Sequence, residues 1–327
     1  MRVLHLLLLL IAESSALAGV YNFRCVSPLL PGLYRSANLE QATVEDAAYL
    51  LDGARIRTVI DLRNQDEIEK ARASSTEVGR KLIAEFEHGA AVGPGQVASE
   101  GSGVLRRYHV PLLEDVDGFL DELATRLPPA QKLKAGMLRA FDMKAHDQLI
   151  YDSLAKGKQQ LMCKPPSRVH TTTAFASAPH DGCSLPPTDT AMIQSGKSEN
   201  WERALRLAAD RREGGVLIHC QQGKDRTGVL AALLQHAAGD LEQEIVSCYA
   251  ASEALLEDRP REEMADGGVD WSALRGSPPV AMTETLQWIR ATYGAIDLFL
   301  EGAGCGNDWR DVLLAPPGLH GRSGGWC

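Results

Sequence analysis

Residues 215 to 234 read Gly215-Val216-Leu217-Ile218-His219-Cys220-Gln221-Gln222-Gly223-Lys224-Asp225-Arg226-Thr227-Gly228-Val229-Leu230-Ala231-Ala232-Leu233-Leu234. The opening apolar run suits a strand covered on both faces, and the closing one continues as a buried helix. Five residues separate Cys220 from Arg226, enough chain to curl with its backbone N–H groups turned inward as an anion-binding nest. This spacing puts Arg226 in the first turn of the helix. There the partial positive charge of the helix N-terminus and the guanidinium fork act on one anion. The same field favours the thiolate form of Cys220, which is the nucleophilic one. Gln221, Gln222, Gly223, Lys224 and Gly228 complete the candidate phosphate contacts.

The string His219-Cys220-Gln221-Gln222-Gly223-Lys224-Asp225-Arg226-Thr227-Gly228 resembles the signature of the cysteine-dependent protein tyrosine phosphatase superfamily. Its second half is similar to the loop of the bacterial-type and atypical tyrosine and dual-specificity phosphatases. Asn22-Phe23-Arg24, Gly32-Leu33-Tyr34-Arg35-Ser36-Ala37-Asn38-Leu39 and Thr58-Val59-Ile60-Asp61-Leu62-Arg63, with Glu67 following, resemble the segments that open that domain. Tyr249-Ala250-Ala251-Ser252 and Tyr293-Gly294-Ala295-Ile296 resemble its closing helices. The resemblance implies a phosphomonoester hydrolase, a protein tyrosine or dual-specificity phosphatase first of all. Hydrolysis of phosphoinositides or inositol phosphates is one alternative, and a non-catalytic phospho-ligand module is another.

The resemblance also implies a role for each residue of the loop. Cys220 attacks phosphorus to form a cysteinyl-phosphate that water then hydrolyses, while Arg226 and the loop amides hold the equatorial oxygens. The Thr227 hydroxyl donates to the Cys220 sulfur, and His219 orients the loop. Lys224 adds a second cation, of use to substrates with extra phosphates. The leaving oxygen needs a proton from a nearby carboxyl group. Asp115 is preferred for that role over Asp225, with Asp117 third, and Glu114 stands in the same stretch. Arg35 and Arg63 are expected to pair with Glu67 or other acids in a structural role.

Other phosphate loops fit less well. A sulfur-transfer domain has no use for Arg226-Thr227-Gly228, and a nucleotide-binding loop would follow its lysine with Ser or Thr, whereas Lys224 precedes Asp225. No histidine or cysteine spacing suggests metal ligands, and neither metal nor cofactor is expected. The chain has 327 residues, 44% of them apolar, with a net charge of −9. That charge argues against nucleic acid as a partner and leaves the attraction of a phosphorylated protein or phosphoinositide to local groups.

Residues 1–18 read as a secretory signal, with Arg2, the apolar stretch Leu6 to Ile11 and Ala16-Leu17-Ala18. A cytoplasmic address is the alternative. No later stretch is long and apolar enough for a membrane span. Seven cysteines are present. Where the family carries Asp after Asn-Phe-Arg and before the helix Tyr, this chain has Cys25 and Cys248, which leaves two readings open: two unrelated buried thiols, or two cysteines that meet in space.

The fold class is α/β: short strands at 33–36, 57–62, 104–112 and 215–219 form a small, mostly parallel sheet wrapped by helices. Helices are expected at 43–51, with Thr43 as N-cap, and at 118–126, 131–156, 199–212, 226–238, 240–257, 283–294 and 295–302. One domain covers 19–315, and residues 316–327 form a loose tail. The aperiodic, Pro- and Thr-rich stretch 157–198 reads as a largely disordered insertion, and 89–103 as a Gly-rich connection.

Overall fold

The structure, a computed structural model, describes residues 17–87, 105–114, 196–259, 265–266, 269–270 and 276–318, with single positions at 131, 134, 135, 138, 149, 150 and 193. Its main sheet has β1 (Arg24–Cys25), β2 (Leu33–Ser36), β3 (Ile56–Asp61), β4 (Arg106–His109) and β5 (Gly215–His219). Their order is β1-β2-β5-β3-β4. All neighbours run parallel except the edge strand β1, which lies antiparallel to β2. This is the small, mostly parallel sheet expected. The short β1 has no apolar period to announce it.

Alternation along β5 divides the interior in two, because successive side chains leave a strand on opposite faces. Val216 and Ile218 enter a larger core with Leu33 and Ile60, whereas Leu217 enters a second core with Tyr34 and Val59. Every residue of β5 is therefore buried.

Helix α1 (Val44–Ala48) begins where expected. The Asp46 amide donates to Thr43 Oγ1 at 3.1 Å and the Thr43 amide returns a bond to Asp46 Oδ2 at 3.0 Å, a reciprocal cap. Instead of continuing to residue 51 it passes into a π-helical turn, Tyr49–Gly53. Two further helices, α2 (Gln65–Ala73) and α3 (Glu77–Glu87), were not foreseen. The second core takes Leu82, Ile83 and Phe86 from α3.

Beyond β4 come α4 (Ser198–Ala209), α5 (Asp225–Ala238), α6 (Glu242–Ala250), α7 (Ser252–Leu255), α8 (Pro279–Tyr293), α9 (Ile296–Gly302) and α10 (Asn307–Leu314). The expected helix 240–257 is thus two helices, α6 and α7. Helix α5 is buried at every position from Arg226 to Gln235, as befits a helix that is apolar on all sides.

The helices expected at 118–126 and 131–156 and the connection 89–103 lie wholly or almost wholly outside the described residues. So does most of 157–198, although Ile193 is buried in the larger core. At the start, Leu17 is buried and the amides of Ala18 and Gly19 donate to the Asp46 carboxylate at 3.0 and 2.8 Å. Packing therefore begins just inside the expected leader. Residues 316–318 follow α10, and the Gly318 amide donates to the Arg211 carbonyl at 3.0 Å; the rest of the tail is outside the described residues.

Cys25 is disulfide-bonded, but Cys248 is a free, buried thiol, so no bond joins these two cysteines. Cys248 Sγ instead lies 3.7 Å from the Val26 carbonyl, to which it donates, and accepts from Arg35 Nη1 at 3.6 Å. It fills a polar position beside a guanidinium, which is also where the family's Asp would stand.

Candidate active site

Ser36, Asp61 and His219 stand in register at the carboxyl ends of β2, β3 and β5. The loop after β5 therefore occupies the place where open parallel sheets take their ligands. Its carbonyls are drawn outward one by one. The His219 carbonyl accepts from the Leu62 amide at 2.9 Å. That of Gln221 accepts from the Asn38 amide at 3.3 Å and from Arg259 Nη1 at 2.6 Å. Asn22 Nδ2 donates to the carbonyls of Gln222 and Gly223, both at 2.9 Å. Arg35 Nη2 donates to those of Gly223 and Lys224 at 2.7 and 3.3 Å.

Each planar peptide whose oxygen points out turns its N–H the other way. Among the described residues, the amides of Gln221, Gln222 and Gly223 donate no hydrogen bond. The loop is thus a nest of donors held from behind. Gly223 sits at its tightest point with φ of 63°. A Cβ there would come within 2.0 Å of the Ser36 carbonyl oxygen, so only glycine fits.

Arg226 is nearly buried and is gripped end-on by Glu67 of α2, Nη1 to Oε2 and Nη2 to Oε1, both at 2.5 Å. Glu67 is itself fixed by a reciprocal cap: the Asn64 amide donates to Glu67 Oε2 at 3.0 Å and the Glu67 amide to Asn64 Oδ1 at 2.8 Å. Burial opposes both charges, but each outweighs it for the other, so the Glu67 carboxyl is held below its usual range and the Arg226 guanidinium is raised. Cys220 and Asp225 add to the pull on Arg226. An end-on pair uses one N–H of each terminal nitrogen and leaves Nε–H with the second Nη2 hydrogen as a side-on fork.

Behind the loop lies a second buried ionic cluster. Asp61 accepts from Arg63 Nε and Nη2 at 2.9 and 2.8 Å and from Arg107 Nη2 at 2.6 Å, and Arg63 Nη2 also meets Glu40 at 2.9 Å. The expected structural pairing of Arg63 with an acid is thus made, though not with Glu67, while for Arg35 no acid partner is found among the described residues. Arg63 pairs with Asp61 and Glu40, Arg35 holds loop carbonyls, and Glu67 serves Arg226.

His219 is buried with Nδ1 3.3 Å from the Cys220 carbonyl oxygen and Nε2 3.7 Å from Asp61 Oδ2. Burial pushes its imidazolium down to about 4 despite the opposing pull of Asp61. An unfolded histidine takes up its proton near pH 6.5, so between about 6.5 and 4 the unfolded chain binds a proton that the folded one refuses. Stability is full above that window and falls through it as pH drops, by about 3 kcal/mol in all. Urea unfolding at pH 7 and 4.5 should show this loss, and His219→Asn should flatten the slope; an unchanged slope would contradict it.

The remaining sequence candidates divide. Cys220 is a free thiol, 3% exposed, at the mouth of α5. Thr227 Oγ1 is buried with no hydrogen-bond partner, so the expected bond to the Cys220 sulfur is not made. Lys224 is not a cation facing the pocket: its side chain is fully buried, with Nζ 3.4 Å from the Gly276 carbonyl and 3.6 Å from Asp225 Oδ2. Gly228 serves packing, since the place of its Cβ is taken by the Tyr249 ring at 2.9 Å. Glu114 is bound to Lys197 and, at 2.9 Å, to Asn200 Nδ2, and these bonds hold its carboxyl below the usual range. That suits a carboxylate better than a proton donor. Asp115 and Asp117 lie outside the described residues.

Sequence reasoning missed Glu67 as the partner of Arg226, and Asn22, Asn38 and Arg259 as props of the loop. Only Glu67 carried a signal: Asn64-x-x-Glu67 is a helix-start pattern, and a buried arginine calls for a counter-ion.

A strand, an amide nest with a cysteine at its start and a guanidinium fixed at its end define a cysteine-bearing phosphate cradle. The model of the tyrosine phosphatase family matches residues 17–314, and the chain belongs to that family. It is also 49% identical over 70 residues to a tyrosine-protein phosphatase of Nostoc commune, a stretch that makes up 21% of this chain and 24% of that protein. The chain thus covers about a quarter of the length of this curated relative.

Proposed function

We propose that the protein hydrolyses phosphomonoesters through a cysteinyl-phosphate, acting on phosphotyrosine and related residues of proteins. The carrying observation is the outward anchoring of the loop carbonyls of Gln221 to Lys224, with Arg226 fixed by Glu67. A phosphate dianion accepts from the amides of Gln221, Gln222 and Gly223 and from the side-on fork of Arg226. Cys220 Sγ attacks phosphorus, the ester P–O bond breaks, and its electron pair leaves with the oxygen, which takes a proton from a carboxyl acid. Water then gives a proton back to that carboxylate and attacks phosphorus, the P–S bond breaks, and Sγ departs as thiolate with inorganic phosphate released. The charge spread over the equatorial oxygens in both transition states meets donors already in place.

For the acid, Asp225 is already engaged with Lys224, which supports Asp115. For the substrate, the burial of Lys224 removes the cation that a second phosphate would contact, and this favours protein phosphotyrosine over phosphoinositides. Initial rates on a phosphotyrosine peptide and a short-chain phosphoinositide test the reading. The peptide should have the higher kcat/KM by about tenfold or more, the factor that one lost charged contact is worth. Faster turnover of the lipid headgroup would overturn it. In the same assay the alkaline limb of the pH–rate profile should vanish in Asp115→Asn. A limb that survives there but vanishes in Asp225→Asn would reassign the acid.

A further inference from the structure

We infer that Arg259 is a positioning residue that sets the orientation of the Gln221–Gln222 peptide, an inference that rests on the proposed role of Cys220. Arg259 follows α7, held by a bond from its own amide to the Leu256 carbonyl at 3.2 Å, and its side chain runs back to the loop. It is 2% exposed. Nη1 donates to the Gln221 carbonyl at 2.6 Å and Nη2 to Asn38 Oδ1 at 2.9 Å. The guanidinium carbon lies 5.8 Å from the centroid of the Tyr21 ring, within cation–π range.

The other donor to the Gln221 oxygen is the Asn38 amide, at the longer distance of 3.3 Å. Arg259 supplies the shorter bond and the charged one, and charge-assisted bonds are the stronger kind. Because the peptide is planar, fixing the Gln221 oxygen outward aims the Gln222 N–H at the bound anion. Turned over, the same peptide would present its carbonyl dipole to the phosphate and repel it. The carbonyls of Gln222, Gly223 and Lys224 depend on Asn22 and Arg35 instead. The Gln221–Gln222 peptide, one removed from the nucleophile, is thus the one that Arg259 controls.

The test compares the purified full chain with Arg259→Ala and Arg259→Lys by steady-state kinetics on an aryl phosphate, by vanadate inhibition and by thermal denaturation. Losing one fixed oxyanion donor costs on the order of 10² to 10³ in rate. With the Asn38 amide still in place, Arg259→Ala should lose roughly 10- to 100-fold in kcat. Vanadate binding should weaken in parallel, millimolar guanidinium should restore part of the rate, and Arg259→Lys should fall between. Two results would overturn the inference: kcat within about twofold of wild type, or a loss of rate fully accounted for by unfolded protein. Turnover surviving in Cys220→Ser would instead remove the nucleophile reading itself. Wild-type kinetics in Arg259→Ala beside an inactive Cys220→Ser removes this inference alone.

Discussion

Replacing Cys220 by serine is expected to abolish hydrolysis of an aryl phosphate while leaving the fold and phosphate binding intact. The substitution removes one sulfur and keeps a small polar side chain at a site that is 3% exposed, so the packing of β5 against α5 should hardly change. The chemistry changes far more. A serine hydroxyl needs a base to become a comparable nucleophile, and His219 is not one, since it approaches the Cys220 carbonyl and is neutral and locked behind the loop. Loss of a nucleophile from a committed catalytic constellation costs on the order of 10⁴- to 10⁶-fold in kcat. A non-catalytic phospho-ligand module would give the opposite pattern, with no turnover in wild type and unchanged binding in the variant. Measuring both turnover and phosphate affinity separates the two readings.

Arg226→Ala should have the second-largest effect, and it acts on two links at once. On the chemical link it removes the side-on fork, which makes its contacts where charge develops, and kcat should fall by about 10² to 10³. Arg226→Lys should recover little, because an ammonium carries the charge without the planar two-point geometry. On the energetic link, Arg226→Ala leaves Glu67 ionised and without its partner in a mostly buried place. Breaking such a pair costs on the order of 3 kcal/mol. Adding Glu67→Gln should return most of that stability and none of the activity, as denaturant titration and initial rates on the three proteins would show. Activity that returned along with stability would mean that Arg226 matters only as a structural ion-pair partner.

Much of this site could be read from the chain because its chemistry is local. One strand, one loop and the first turn of one helix bring together Cys220, three loop amides and Arg226, and contiguous sequence dictates all three. Apolar runs likewise announced β2, β3 and β5, and the N-cap Thr43 announced α1. The parts that sequence did not disclose are those that arrive from a distance. Glu67, Asn22, Arg35, Asn38 and Arg259 reach the loop only once the sheet order β1-β2-β5-β3-β4 has placed their segments around it. Their residue types are equally at home on a surface. Lys224 misled for a related reason: its neighbours in sequence suggest an open phosphate site, whereas the fold buries its side chain and brings Nζ to the Gly276 carbonyl. Helices α2 and α3 escaped notice because short amphipathic stretches rich in Glu, Lys and Arg resemble solvated loops until something covers their apolar side.

The central claim is that Cys220 becomes covalently phosphorylated during turnover. The direct measurement is acid quenching of the enzyme within milliseconds of mixing with a ³²P-labelled phosphotyrosine peptide, followed by proteolysis and mapping of the label. Label on the peptide that contains Cys220, absent from Cys220→Ser and decaying at the steady-state rate, is the predicted result. Steady turnover with no labelled enzyme, or label mapped to a histidine or carboxylate instead, would contradict it.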